Sequence, residues 1–281
     1  ALVLEGGGFR GAYTAGAMQW LYDHGIDFEY IVSISATAAY SFYYAGKEME
    51  RLHEFCVKQI SSIHMLGLLP LLTRGELVGY DYMLKHFLIK DYLRILTKLR
   101  NSGSKYELGV FNMTQEKLQY KGLSELDEEG KLIKASCVLP VSGRMTEVNG
   151  EKYFDGGIEV MVSTKRADDM GYKKQLVIVT KDKDYVRKPN GWFLNFLLKT
   201  IYHRYKTMLA TLDKRVEAYY DQMNVVYEKE KEGNAILIRP SDNCGVGRFT
   251  GNRNQLEKLF WVGWQDMEQR KQEILNFLGI K

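Results

Sequence analysis

Cysteine is scarce in this chain of 281 residues: Cys56, Cys137 and Cys244 lie far apart, with no paired spacing. That argues against a disulfide framework and a thiolate zinc cluster, and predicts a reducing compartment, the cytoplasm. The histidines, His24, His53, His64, His86 and His203, stand singly without ligand spacing, so no metal centre is expected. No stretch approaches the ~18 unbroken apolar residues of a membrane-spanning helix. No secretory leader opens the sequence as given, and the missing initiator methionine points to trimming or a boundary. Charge of one sign is not concentrated either: 39 Lys and Arg stand against 35 Asp and Glu, a net charge of +4. No basic run is dense enough to predict nucleic acid as a partner. Repeats and low-complexity tracts are missing too.

What remains is an ordinary globular composition, 45% apolar and 26% charged, without a visible linker. Two strand–turn–helix units open the chain: Ala1–Glu5 then Ala12–His24, and Tyr30–Ile34 then Ala36–Ala45, closed by Gly46. They predict an α/β layered fold around a mostly parallel sheet. Helices are expected over Glu48–Leu69 and Tyr80–Phe87, on either side of a turn from Pro70 to Gly79. Strands are expected at Tyr106–Met113, Leu118–Tyr120, Lys152–Phe154, Leu176–Thr180 and Ala235–Arg239. Lys131–Cys137, most of Asn195–Lys231, and Gln255–Leu278 read as helices.

Three elements carry chemistry. The first is Gly6-Gly7-Gly8-Phe9-Arg10-Gly11, directly behind the first strand. Backbone N–H groups without a Cβ in the way, ahead of a helix N-terminus, form a cradle for a negative oxygen. The cradle suits a bound phosphate or the oxyanion of an ester under attack. Gly6, Gly8 and Gly11 also satisfy the dinucleotide fingerprint G-x-G-x-x-G. A nucleotide site wants an acid at the end of the second strand, however, and Asp27 and Glu29 lie before that strand. Its far end carries Ser33, Ser35 and Thr37 instead.

The second element is Ser35, at the strand–helix junction Ile31-Val32-Ser33-Ile34-Ser35-Ala36-Thr37, the place of a nucleophile elbow. A serine-capped helix start is the alternative there. The third is Asp155, at the exit of a short strand and followed by Gly156-Gly157. A common turn explains it equally well. Yet a serine nucleophile needs a base, and no histidine occupies a comparable setting. A carboxylate takes the proton directly if burial makes it basic enough.

Taken together, Gly6–Gly11, Ser35 and Asp155-Gly156-Gly157, in that order, resemble the patatin-like phospholipase family in its bacterial branch. Gly171-Tyr172, Arg187-Lys188-Pro189 and Arg239-Pro240-Ser241 are similar to that branch as well. The resemblance spans nearly the whole chain. It implies a three-layer patatin-like sandwich in one domain, 1–281, with a catalytic core at 1–185, a helical segment at 186–234, and the last strand and C-terminal helix at 235–281. It implies that Ser35 attacks, that Asp155 activates it, and that Gly6, Gly7, Gly8, Arg10 and Gly11 form the oxyanion hole. The implied reaction is hydrolysis of a lipid or other acyl ester through an acyl-serine, with no metal or organic cofactor.

The elbow departs from the family pattern, with Ser33 and Thr37 where glycines flank the serine. Two readings follow: an active hydrolase with a reshaped elbow, or a catalytically impaired homologue that binds lipid. A nucleotide-binding α/β protein is the third. The aromatic and basic stretch from Gly191 to Lys206 could lie in a headgroup layer, giving peripheral membrane contact, or pack on the sheet. The apolar run Ile63–Leu72 reads as acyl-pocket wall or core.

Overall fold

The computed structural model describes residues 1–59 and 62–280. The chain begins β1 (Leu2–Leu4), α1 (Gly11–Asp23), β2 (Tyr30–Ile34), α2 (Ala36–Ala45). α3 (Met49–His53) runs into a π-helical stretch, Glu54–Gln59. Then come α4 (Leu68–Arg74), α5 (Tyr80–Met83), a second π-helical stretch at Leu84–Leu88, and α6 (Ile89–Ser102). β3 (Lys105–Asn112), β4 (Lys117–Gly122), α7 (Lys131–Cys137), β5 (Thr146–Val148), β6 (Glu151–Asp155), α8 (Thr164–Asp169) and β7 (Gln175–Ile178) follow. The remainder is α9 (Trp192–Ile201), α10 (Lys206–Asp213), α11 (Arg215–Lys231), β8 (Ala235–Ile238), α12 (Arg253–Gln269) and α13 (Lys271–Leu278).

The strands form one sheet in the order β5-β6-β3-β2-β1-β7-β8, with β4 also paired to β3. β3, β2, β1, β7 and β8 run parallel, and the antiparallel pairings are confined to the β3–β4–β5–β6 end. Successive residues of a strand face opposite sides. Here both sides are buried: Leu2, Leu4, Ile31, Leu176 and Ile178 join a core with α1, α2 and α12. Val3, Val32, Val177 and Leu237 join a second core with Tyr219, Met223 and Val226 of α11 and Ala167 of α8. The apolar runs of β1, β2 and β7 are therefore strands covered by helices on both faces, the three layers the sequence predicts.

Two glycines fasten the end of the chain to its beginning. A Cβ on Gly16 of α1 would lie 1.7 Å from the Phe260 carbonyl oxygen, and one on Gly263 of α12 would lie 2.1 Å from that of Tyr13. The helices touch backbone to backbone. Residues 205–279 thus complete the same sheet and core through β8 and α12.

Three helical predictions and one predicted turn need correction. Glu48–Leu69 is not one helix. The described π-helical stretch is Glu54–Gln59, and Leu66 pairs with Val78 in an antiparallel bridge; positions 60 and 61 of that prediction lie outside the described residues. The turn expected from Pro70 to Gly79 contains α4, because Pro70 sits in the first turn, where its missing N–H is no loss. The helix expected at Tyr80–Phe87 continues as far as Ser102. Its last part shows buried Tyr92, Ile95, Leu96 and Leu99, the i, i+3, i+4, i+7 pattern of an amphipathic helix. The closing helix breaks at Arg270 into α12 and α13. β5 and α8, too short for a readable period, are additions to the predicted set.

Substituting Gly263→Val will lower stability by roughly 1–3 kcal/mol or more, since backbone rather than a movable side chain blocks the new atoms. Gly191→Ala, where a Cβ meets nothing within 4 Å, will leave the urea midpoint nearly unchanged. Equilibrium unfolding of the two variants beside the parent checks both.

Candidate active site

Register on β3 brings distant segments together. β2 pairs with the first half of β3, ending at Ile34 opposite Gly109. β6 pairs with the second half, with Asp155 opposite Val110. β4 occupies the other edge from Glu107 to Asn112, so β2 and β6 share one edge and meet end to end. Ser35 follows Ile34. The serine and the aspartate are 120 positions apart in sequence, yet they leave their strands at neighbouring rungs of the same ladder.

Ser35 has φ 65° and ψ −142°, a conformation that non-glycine residues rarely hold and that costs on the order of 1–3 kcal/mol. The surroundings impose it. Its N–H donates to Ser136 Oγ at 3.1 Å, and Ser136 Oγ in turn donates to the Gly109 carbonyl at 2.9 Å. Its carbonyl accepts the Ala38 N–H at 2.9 Å as α2 begins. The two residues that replace the flanking glycines are absorbed. Thr37, fully buried, donates its hydroxyl to the Ile34 carbonyl at 2.7 Å. Ser33 accepts a hydrogen bond from Ser41 of α2 at 3.0 Å beneath the elbow.

The glycine turn packs against this elbow. A Cβ on Gly6 would come within 2.6 Å of Ser35 Cβ, and one on Gly7 within 2.6 Å of Thr180 Oγ1. Gly8 has φ +59°, and a Cβ there would strike the Arg248 carbonyl oxygen at 2.4 Å. The Gly6 carbonyl accepts from Lys181 Nζ at 2.9 Å and from Thr180 Oγ1 at 3.3 Å. Because a trans peptide points its C=O and N–H in opposite directions, this grip turns the Gly7 N–H away from Lys181. Lys181 is held by Glu5 at 2.5 Å, a pair buried between β1 and β7. Burial lowers the pKa of the Lys181 ammonium, and the Glu5 charge opposes that.

Gly6, Gly7, Gly8, Ser35 and Asp155 line one cavity of about 750 Å³, mouth included. Its remaining wall is largely apolar, with Ile34, Ala39, Tyr40, Met65, Leu139, Met161 and Phe249. Met65 comes from the apolar run Ile63–Leu72 and is buried in this wall, whereas Ile63, Leu68 and Leu72 are exposed. Arg10 and Gly11 stand outside the lining. Arg10 donates to the Val246 carbonyl at 3.3 Å and lies over the Tyr185 ring. The Gly11 N–H turns back to the Gly8 and Phe9 carbonyls, and a Cβ there would meet the Tyr40 ring at 2.5 Å.

Asp155 is buried, and desolvation raises its pKa from 3.8 to about 6. The Ser35 hydroxyl, the Gly157 N–H at 2.7 Å from Oδ1, and the Arg215 and Arg248 charges pull the other way. Four cationic side chains of the wall, Lys181, Arg187, Arg215 and Arg248, went unpredicted as site residues. Arg187 belongs to Arg187-Lys188-Pro189, which carries a family likeness but no chemistry of its own; the other three stand in no motif, and only the fold gathers the four. Among the described residues no group of His, Cys, Asp and Glu could hold a metal ion.

Compared with known proteins, residues 2–168 match the patatin-like phospholipase family, and residues 205–279 match a domain of unknown function, DUF6363. Among solved structures, the chain is similar to VipD from Legionella pneumophila at 13% identity and a TM-score of 0.50, covering 95% of this chain and 66% of that one. That likeness speaks to fold. No curated protein matches the chain.

The raised pKa of Asp155 carries a stability sign. Below pH 3.8 the carboxyl is protonated whether the chain is folded or not, and nothing is lost. As pH rises through about 6 the folded state must ionise a buried acid, a cost of roughly 3 kcal/mol at neutral pH. The carboxamide introduced by Asp155→Asn keeps an acceptor for the Gly157 N–H without the charge. Relative to the parent, Asp155→Asn will gain stability between pH 4 and pH 7, read from urea unfolding at each pH.

Proposed function

The chain belongs to the patatin-like phospholipase family, and from that premise we propose that it is a serine acyl hydrolase in which Ser35 and Asp155 form the catalytic dyad. The observation that carries the proposal is the strained Ser35 backbone beside a buried carboxylate of raised pKa, in one cavity with three glycines. Ionised Asp155 accepts the Ser35 hydroxyl proton as Oγ bonds to the ester carbonyl carbon. The carbonyl oxygen becomes an oxyanion, stabilised by the N–H groups of Gly7 and Gly8, which are bound to no acceptor among the described residues. Collapse of this intermediate breaks the ester C–O bond, and the leaving alkoxide takes the proton from Asp155. A water then gives its proton to Asp155 and attacks the acyl-Ser35; the second intermediate collapses with breakage of the Oγ–C bond, Asp155 returns the proton to Ser35 Oγ, and a carboxylic acid is released.

Burial supports Asp155 in this role without a histidine. A carboxylate with a pKa near 6 is a better match for a hydroxyl than a free one. The hydrogen bonds of Thr37 and Ser33 favour the active reading over the impaired one, because both residues fit beneath an elbow that still holds its strained conformation. The apolar wall of the cavity suits an acyl chain.

We further propose that the protein meets its substrate at a lipid surface. Trp192, Phe193, Phe196 and Ile201 of α9 are 53–81% exposed, while Leu194 and Leu198 of the same helix line an apolar groove. Leu77, also exposed, lines the same groove, and its carbonyl accepts the Gly67 N–H at the start of α4, which carries exposed Leu68 and Leu72. The groove shares Leu139, Arg215, Arg248 and Phe249 with the serine cavity. Two apolar shoulders beside one entrance suit peripheral contact. Among the described residues, no helix is long and apolar enough to cross a membrane. We take 1–281 to work as one unit, since the wall of the cavity draws on residues from Gly6 to Phe249.

Ser35→Ala will abolish turnover of p-nitrophenyl butyrate, and kcat/KM of the parent will rise with pH through an apparent pKa near 6, since the base must be ionised. Activity that survives Ser35→Ala would remove Ser35 from the chemistry. Trp192→Ala combined with Phe193→Ala will weaken sedimentation with phospholipid vesicles severalfold and slow hydrolysis of vesicle substrate more than that of the soluble ester.

A further inference from the structure

Beside the serine cavity lies a second cavity of about 600 Å³, mouth included, with a polar wall. Arg187, Arg215 and Arg248 line both. None of the three is in an ion pair among the described residues, although most buried charges are paired. Arg187 is only 7% exposed, and its Nη1 is buried without a hydrogen-bond partner. Its guanidinium lies over the Tyr219 ring, 5.0 Å from the centroid. Arg215 Nε donates to the Gly157 carbonyl at 2.7 Å, leaving its remaining N–H groups without an acceptor among the described residues. Arg248 is anchored by its backbone carbonyl, which accepts the Phe9 N–H at 3.0 Å. The carboxylate in the wall of the second cavity, Asp213, is half exposed and faces Lys199 at 3.6 Å. On the serine-cavity side, Asp155 acts on Arg215 and Glu5 acts on Arg187, but Glu5 is paired with Lys181 and Asp155 faces the serine.

We propose that Arg187, Arg215 and Arg248 form a phosphate subsite, which selects ester substrates bearing an anionic phosphate without an attached cationic headgroup. This rests on the reading of Ser35 as nucleophile and adds a substrate class to it. Guanidinium forks match phosphate oxygens two at a time, and such charge-assisted bonds are the strong ones. In a glycerophospholipid the phosphate is only a few bonds from the ester carbonyl. A lipid with its acyl chain among Ile34, Met65 and Met161 and its ester at Ser35 would thus present phosphate to the arginines. A quaternary ammonium beyond that phosphate would find three like charges and no free carboxylate. The segment matched as a domain of unknown function supplies Arg215 and Arg248, which gives it a place in substrate selection.

The test compares phosphatidic acid, phosphatidylcholine and a neutral diacylglycerol at equal mole fraction in uncharged detergent micelles. The parent is expected to favour phosphatidic acid about tenfold or more in kcat/KM, and Arg187→Gln to lose that preference while slowing diacylglycerol turnover far less. Arg248→Lys, which keeps the charge acting on Asp155 and the backbone tie to Phe9 but gives up the guanidinium fork, is expected to show the same selective loss, so a poorly folded Arg187→Gln does not decide the matter. No preference in the parent, or equal slowing on all three lipids in both variants, would overturn the subsite. Ser35→Ala protein separates this inference from the nucleophile assignment: it is expected to bind micelles of diether phosphatidic acid more tightly than those of diether phosphatidylcholine. If the parent turns over none of the lipids but this binding preference is present and vanishes with Arg187→Gln, the subsite stands and the hydrolase reading falls. Inorganic phosphate that displaces diether phosphatidic acid at equal concentration would show a site for free phosphate and overturn the lipid assignment.

Discussion

The meeting of β2 and β6 on one edge of β3 is the constraint from which the site follows. A strand edge offers each partner a continuous ladder, and two strands can share it only if one stops where the other starts. Here the changeover falls between Gly109 and Val110. The chain must leave the sheet at Ile34 and at Asp155, and both departures open on the same side. The space between the two strand ends is small. A Cβ on Gly109 would meet Ile34 Cδ1 at 2.3 Å, and one on Gly156 would meet the Gly109 carbonyl at 2.7 Å. Glycine at these positions is what allows an elbow and an acid to lie this close.

Polar ties then lock the arrangement. Ser136 bridges the Ser35 N–H and the Gly109 carbonyl, and the Asp155 N–H donates to the Val138 carbonyl at 2.8 Å. α7 and the residues after it therefore hold both strand ends at once. On the far side, the buried Glu5–Lys181 pair fixes the peptide between Gly6 and Gly7. A buried ion pair adds little net stability for its desolvation cost. Its use here is orientation, because the same ammonium that satisfies Glu5 grips a turn otherwise free to rotate.

Much of this was legible in the sequence, for identifiable reasons. β2, α2 and α7 have the predicted bounds because turn residues and apolar runs mark their ends sharply. Gly6, Gly7, Gly8, Ser35 and Asp155 share a cavity, and each stands in a local motif with its own physical meaning. What was hidden has no local signature. Arg187 lies in a stretch that resembles the family but signals no chemistry, Arg215 and Arg248 stand in no motif, and the three become a cluster only when α11 and the loop after β8 fold over the sheet. The region from Glu48 to Ser102 misled because its apolar content is high throughout, while its breaks depend on Gly67 at φ +107° and on a two-residue bridge. Thr37 is accommodated through a hydrogen bond to Ile34 that no sequence pattern announces.

The central claim is that a hydroxyl, a buried acid and a row of glycine amides face one reacting atom. The most direct measurement is a crystal structure of the protein after reaction with an alkyl fluorophosphonate, which mimics the tetrahedral intermediate. The account predicts phosphorus bonded to Ser35 Oγ, the phosphonyl oxygen about 3 Å from the Gly7 and Gly8 nitrogens, and the alkyl chain among the apolar side chains of the wall. An adduct on another residue, or a phosphonyl oxygen turned away from the glycines, would contradict it.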